Sequence, residues 1–198
     1  MTRTGPALAG WLLFVPGCFQ PDVASDYLPA GGADEPPADV FRDTGTTLPD
    51  PCAGAPPPTG GALHFRVRTS SAGGKFAPRN VGAIWIQDGA GAFVKTLERW
   101  GTTRAKWLVT FNEASGGDVV DAITGATKIA HETHEVTWTL DDAAGCPAAP
   151  GDHAIWIEMT DKSGPGVTLN VPFVLATPGQ DLFPEDAPTF HDMALQWE

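Results

Sequence analysis

The chain has 198 residues and a formal charge of −12 at pH 7, because 24 Asp and Glu outnumber 12 Lys and Arg. An acidic surface of this kind repels phosphate backbones, and no basic stripe interrupts it, so the composition argues against nucleic-acid binding. The same charge argues against electrostatic binding to an anionic membrane, and any attachment to a membrane therefore requires a lipid.

The N-terminal residues have the pattern of an export signal. Arg3 supplies a positive start, and residues 7–15 form an apolar run that is too short to span a bilayer, which takes about 20 residues. The run ends in Val15-Pro16-Gly17-Cys18, which resembles the lipobox of bacterial lipoproteins. We expect residues 1–17 to be a lipoprotein signal peptide and Cys18 to carry the lipid. The alternative is a plain signal peptide that happens to contain a cysteine.

Residues 18–61 are rich in Pro, Gly, Ala and Asp and contain few large apolar side chains. A segment of this composition buries too little surface to offset the entropy lost on ordering. We expect an acidic, disordered tether whose function is reach between a membrane and the domain that follows.

Once Cys18 is assigned to the lipid, Cys52 and Cys146 are the cysteines that remain. An exported protein lies in an oxidising compartment, so this even number predicts a disulfide that ties the end of the tether to the domain. Two free thiols, as in a reducing compartment, are the alternative.

From residue 62 to residue 198, short alternating runs of apolar and polar residues are separated by turn-rich gaps. The predicted strands are residues 63–68, 81–87, 93–100, 134–140, 153–160, 166–175 and 190–197. About seven short strands without a long helix favour an all-β domain, a single antiparallel β-sandwich that is immunoglobulin-like in the broad sense. Residues 102–128 depart from the pattern. There we expect a short helix near residues 104–109 and then a long excursion of the kind that often carries function.

The chain contains none of the motifs G-x-S-x-G, H-E-x-x-H, P-loop or C-x-x-C. No catalytic residue is therefore assigned, and an enzyme with its own substrate is the least favoured class. His131 and His134 form a close pair, but residues three apart on a strand point to opposite faces, so no metal site is predicted. We expect His134 at the rim of the strand face that carries Val136, Trp138 and Leu140.

The most specific chemistry lies in Asp121-Ala122-Ile123-Thr124-Gly125-Ala126-Thr127. This segment fits D-x-x-[ST]-G-A-[ST], which resembles the recognition sequence of the bacterial flavin transferases, enzymes that esterify FMN through its phosphate to the last Thr. The resemblance implies a covalent FMN on Thr127, within a recognised sequence that includes Asp121 and Thr124. Gly125 and Ala126 keep the backbone approachable. Ordinary turn residues in a chain rich in Gly, Ala and Thr are the alternative.

Other stretches resemble the bacterial family named domain of unknown function 2271, which consists of predicted periplasmic proteins. They are Ala77–Asp88, Phe93–Leu97, Val120–Thr127, His134–Trp138 and Glu158–Asp161. The resemblance covers nearly all of residues 62–195, and the family has no settled activity. It implies an exported sandwich with the T-G-A-T segment as the proposed flavin site.

Two functions of different classes follow. In the first, a lipid-anchored carrier at the cell envelope, on the periplasmic face or the outer membrane, receives FMN from a flavin transferase and moves electrons between membrane redox proteins. Trp100, Trp107 and Trp138 are the candidates for stacking on the flavin. In the second, a cofactor-free immunoglobulin-like module binds a protein or a glycan. Thr127 discriminates between them, because only the flavoprotein would lose a cofactor in Thr127→Val.

Overall fold

The computed structural model describes residues 49–57, 60–176 and 179–198. The predictions for residues 1–48, including the signal peptide and Cys18, concern residues outside this part of the chain. The strands are β1 (Leu63–Thr69), β2 (Val81–Asp88), β3 (Phe93–Trp100), β4 (Ile123–Gly125), β5 (Thr133–Trp138), β6 (Gly151–Thr160), β7 (Val167–Leu175) and β8 (Phe190–Trp197). The helical elements are a 3₁₀ turn, Ala105–Trp107, and helix α1, Val109–Ser115.

The strands form two sheets that pack into a sandwich, which confirms the predicted all-β class. The smaller sheet has the order β5-β1-β8, and the larger has the order β4-β3-β2-β6-β7. All seven predicted strands are present, with bounds that shift by two residues at most. The eighth, β4, is a short strand that pairs in parallel with β3, so the sandwich is not wholly antiparallel.

The core lies between the sheets and follows the period of two that the sequence shows. In β1, the side chains of Leu63, Phe65 and Val67 are buried, and those between them are more exposed. In β5 the buried face carries His134, Val136 and Trp138. His134 is therefore a core residue, 3% exposed, and the prediction that it lies at a rim is wrong. The alternation placed it on the correct face, but burial depends on the second sheet above that face.

The outer face of the larger sheet is covered by α1. Phe111 packs there on Trp85, with ring centroids 5.5 Å apart. The predicted helix near residues 104–109 is displaced, because the 3₁₀ turn ends at Trp107 and α1 begins at Val109. A carboxylate from β6 accounts for this start: Glu158 Oε2 accepts a hydrogen bond from the Phe111 N–H at 2.9 Å. A first-turn N–H group of a helix needs such a partner, and this one lies 47 residues away in the sequence.

The sandwich has two ends of different chemistry. One end, which we call the motif end, carries the segment Asp121–Thr127. There β1, β3 and β6 finish, and β2, β5 and β8 begin. At the opposite end, which we call the aromatic end, Trp138, His153, Phe173 and Trp197 form a chain of rings with neighbouring centroids 5.7–6.2 Å apart.

One disulfide and one ion pair lie at the aromatic end as well. A disulfide joins Cys52 to Cys146, with an S–S distance of 2.09 Å. Lys95 Nζ lies 2.7 Å from Asp141 Oδ2, and the Trp138 indole N–H donates to the Asp141 carbonyl at 2.7 Å. The segment before β1 and the β5–β6 connection are thereby both fixed to the domain. Within the described residues, no helix has the length and apolar character needed to cross a membrane.

Candidate functional site

The sequence Asp121–Thr127 forms an exposed margin of the larger sheet. Its middle, Ile123–Gly125, is β4, and all three residues are exposed. Asp121 and Ala126 are exposed as well, and Asp121 adopts a left-handed backbone conformation with φ 55°. The Gly101 N–H donates to the Gly125 carbonyl at 2.9 Å, which holds this margin against the end of β3. The segment Asp121–Thr127 is therefore fixed in place on one side and open on the other.

Thr127 differs from the residues before it because it is half-buried. Its hydroxyl oxygen lies against Gly101, where an added Cβ would come within 3.2 Å of Thr127 Oγ1. Gly101 also has φ +82°, a conformation that favours glycine. A Cβ on Gly125, in contrast, would meet no atom within 4 Å. The backbone on the open side of Thr127 is thus accessible to a large group, while the other side is packed.

A buried asparagine anchors the chain directly after Thr127. The backbone groups of Asn80 and Lys128 exchange two hydrogen bonds of 3.1 Å. The Asn80 side chain, fully buried, accepts from the Trp100 indole N–H at 2.7 Å. Its amide group donates to the Pro78 carbonyl at 3.0 Å and to the Ala130 carbonyl at 3.1 Å. One side chain therefore connects the start of β2, the end of β3 and the crossover from β4 to β5.

Beneath this crossover lies a buried group of polar side chains. The His134 ring stacks on the Trp100 ring with centroids 4.1 Å apart, and His134 Nδ1 lies 2.9 Å from Glu98 Oε2. Burial lowers the pKa of His131; the negative charge of Asp161 opposes this shift, and the nearby His134 adds to it. The two histidines that were expected on opposite faces therefore lie close together, because His131 precedes β5 and is not part of the strand.

Several buried polar atoms of the motif end have no hydrogen-bond partner among the described residues. They are Arg99 Nε, Arg104 Nη1, His131 Nε2, His134 Nε2, Asp161 Oδ1 and Thr189 Oγ1. The other oxygen of Asp161 accepts from the Ser71 hydroxyl at 2.7 Å. Arg104 stacks on Phe76 with 3.9 Å between the guanidinium carbon and the ring centre. Unpaired buried donors and acceptors are uncommon and often mark a functional site.

The residues present fit a phosphate-linked flavin at Thr127. Thr127 is half-buried and follows the exposed residues of β4 and Ala126, so its hydroxyl lies at the boundary between packed and open surface. Trp100 and Trp138 are at most 1% exposed and have no free face for a flavin. Trp107 is the one of the three that is only half-buried, and Lys106 Nζ lies 5.2 Å from the centre of its ring. Among residues 49–57, 60–176 and 179–198, no group of three His, Cys, Asp or Glu side chains is suited to a metal ion.

Sequence reasoning missed Asn80, Glu98, Gly101, Arg104 and Asp161. Asn80 and Asp161 each adjoin a strongly apolar strand, and a polar residue at such a boundary is a weak sign of a buried anchor. Glu98 lies inside a predicted strand next to Leu97, so its burial depends on a register shift between β2 and β3. The sequence contains no sign of that shift.

One comparison with known proteins gives a match. The family model described as predicted periplasmic protein, domain of unknown function 2271, matches residues 76–183, more than half of the chain. The matched region contains Asn80, Asp121–Thr127, both histidines of the buried group and Asp161. Neither the curated proteins nor the solved structures give a match.

Proposed function

The chain belongs to this family of predicted periplasmic proteins, and from that premise we propose that it carries FMN on Thr127 and transfers electrons outside the cytoplasm. The observation that supports the proposal is the placement of Thr127. Its hydroxyl lies between an exposed recognition sequence and a segment that Asn80 fixes to the fold. An attached group would therefore have a defined position at the motif end and would remain accessible to partners.

The attachment is a phosphoryl transfer from a flavin dinucleotide, with the flavin transferase as catalyst. The Thr127 oxygen attacks the FMN phosphorus, the bond from that phosphorus to the AMP leaving group breaks, and the hydroxyl proton passes to a base of the transferase. No electron is gained or lost in this step. When bound, the flavin supplies the electron-transfer chemistry.

The remaining parts of the proposal concern export and attachment. A lipid on Cys18 would keep the domain at the cell envelope, and residues 18–61 would give it reach toward membrane redox proteins. Metabolic labelling with a fatty acid tests this, since Cys18→Ser should abolish incorporation. Thr127→Val is the control and should incorporate the fatty acid like wild type. Loss of the label in Cys18→Ser alone would assign the lipid to Cys18. Equal labelling of Cys18→Ser and wild type would contradict it.

A cofactor-free binding module is the second candidate, and a groove on the other side of the sandwich favours it. The groove has a volume of about 290 Å³ and is lined mainly by apolar side chains of β7, β8 and the segment between them. Phe183 lies at its edge and is 69% exposed. Apolar grooves of this size bind ligands in many proteins. This function does not require the hydroxyl of Thr127.

The deciding experiment is the mass and the flavin fluorescence of protein that is co-expressed with a flavin transferase, exported and then denatured. We expect a fluorescent band and a mass gain of FMN less water, both absent in Thr127→Val. Thr133→Val, an exposed threonine at the start of β5 and outside the motif, is a matched control for the loss of a threonine hydroxyl and should be labelled like wild type. An unmodified wild type, with a control substrate labelled in the same cells, would reject the flavoprotein and leave the binding module.

A further inference from the structure

Exposed apolar side chains are concentrated around the attachment sequence. In the described part of the chain, the large apolar residues that are exposed are Val120, Ile123, Ile129, Val174 and Phe183. The first three lie within residues 120–129 and are 54%, 58% and 78% exposed. Single exposed apolar residues are ordinary, but three within ten consecutive positions, on both sides of an exposed strand, indicate a segment that another molecule covers.

The local fold leaves this site open for pairing. β4 is the last strand of the larger sheet, and its outer edge has no neighbouring strand among the described residues. Such an edge presents backbone N–H and C=O groups, to which a strand of another protein can add. In strand addition the backbone supplies affinity, and the apolar side chains on either side supply specificity.

The exposure of these side chains is not explained by the attachment chemistry. Thr124, Gly125 and Ala126 offer one methyl group each at most, which is little apolar surface for a stable encounter. Ile123 occupies a position that the pattern D-x-x-[ST]-G-A-[ST] leaves open. Val120 and Ile129 lie outside the pattern altogether.

We infer that Val120, Ile123 and Ile129 form the surface on which the flavin transferase docks, an inference that rests on the proposed function. The free edge of β4 pairs with a strand of the enzyme, and the three side chains become buried when Thr127 reaches the flavin donor. Burial of apolar area stabilises the encounter and the transition state alike, so it lowers KM and leaves kcat unchanged.

The test is the initial rate of flavin transfer with purified transferase, a flavin dinucleotide and variants of the unmodified protein, read by in-gel fluorescence. Ile123→Ser and Ile129→Ser should each lower kcat/KM about tenfold, through KM, and still reach full labelling at saturating concentration. Val174→Ser on β7 is the matched control, because Val174 is 57% exposed against 58% for Ile123. Its kcat/KM should stay within about twofold of wild type.

The outcomes separate this inference from the proposed function. If wild type is not labelled while a control substrate is, the proposed function fails and the docking surface with it. If wild type is labelled and Ile123→Ser matches Val174→Ser, the flavoprotein stands and the docking surface is rejected. A fall in electron transfer without a fall in labelling also rejects it, because the surface would then belong to a redox partner. Thermal unfolding of each variant, unchanged for exposed sites, excludes misfolding as the cause.

Discussion

The two ends of the sandwich are built from the same sheets but hold together in different ways. The aromatic end has a chain of tilted and edge-to-face rings, a disulfide and the Lys95–Asp141 ion pair, and the buried Trp138 indole is hydrogen-bonded. The motif end has a stacked Trp–His pair and one buried amide as anchor. Six of the eight buried side-chain atoms that lack a partner among the described residues lie there, on Arg99, Arg104, His131, His134, Asp161 and Thr189.

This difference indicates a division of roles. Unpaired buried polar atoms cost stability, and proteins keep them mainly where a function requires them. We expect the disulfide and the ion pair of the aromatic end to contribute stability that offsets this cost. The predictions below test this division by changing each end separately.

The largest effect should follow the loss of the disulfide at the aromatic end. Cys52 and Cys146 are 94 residues apart, and closing a loop of that length stabilises the fold by about 4.7 kcal/mol in the chain-entropy model. Cys52→Ser with Cys146→Ser should lower the free energy of unfolding in urea by up to that amount. Wild type under reducing agent should show the same loss. A stability equal to that of oxidised wild type would contradict a role for the bridge.

Asn80→Ala should be the most damaging single change at the motif end. It leaves the Trp100 indole N–H and the carbonyls of Pro78 and Ala130 without their partner, at a cost of about 3 kcal/mol in the free energy of unfolding. Asn170→Ala, an exposed asparagine on β7, is the control and should change it by less than about 0.5 kcal/mol. Equal values for the two variants would show that Asn80 is not an anchor.

Near the motif end, Glu158 should make the stability of the fold depend on pH, and the direction of this dependence follows from its pKa. Burial raises the pKa of Glu158, against the hydrogen bonds that its carboxylate accepts from the start of α1 and from Gly166. A carboxyl with a raised folded-state pKa stabilises the fold below its ordinary pKa, and the contribution is lost as pH rises through the raised value. Glu158→Gln cannot ionise, so its stability relative to wild type should increase from pH 4 to pH 7.

Urea unfolding at several pH values measures this trend, and Glu113→Gln, exposed on helix α1, which Glu158 contacts, controls for the removal of one negative charge. A difference between Glu158→Gln and wild type that does not change with pH would contradict the raised pKa.

At the aromatic end, Asp141 should make stability depend on pH in the opposite direction to Glu158, and by a smaller amount. Burial acts to raise the pKa of Asp141, but hydrogen bonds from Lys95 and Thr139 and the charge of Lys95 outweigh it and lower the pKa. The contribution of Asp141 is therefore present above its ordinary pKa and lost as pH falls through the lower folded-state value. Asp141→Asn should destabilise the protein at pH 7 and have less effect near pH 3. Asp152→Asn, exposed in β6, is the control. If the free energy of unfolding depends on pH in the same way for both variants, the ion pair does not stabilise the fold.

The sequence predicted the strands well because each strand has one buried and one exposed face. Alternation is a local property, and it identified β1 and β5 and even the face on which His134 lies. It failed for β4, whose three residues are all exposed and contain no alternation to detect. The helix was displaced for a related reason, since its start depends on Glu158 from a distant strand.

The candidate site was predicted only in part. The motif from Asp121 to Thr127 is contiguous, so it is readable without a structure. The residues that support it are not contiguous: Asn80, Glu98 and Asp161 come from β2, β3 and β6 or their ends. Polar side chains are mostly exposed, so sequence alone gives no reason to place these three in the interior.

What the sequence determined by itself is therefore whatever depends on neighbours in the chain: the strand pattern, the family resemblance and the one segment with a recognisable chemistry. Tertiary structure decided which polar residues are buried, which tryptophans lose their free face and which edge of the sheet is open. These properties depend on the packing of two sheets against each other, which brings together residues that are far apart in the chain and leaves the motif at an edge.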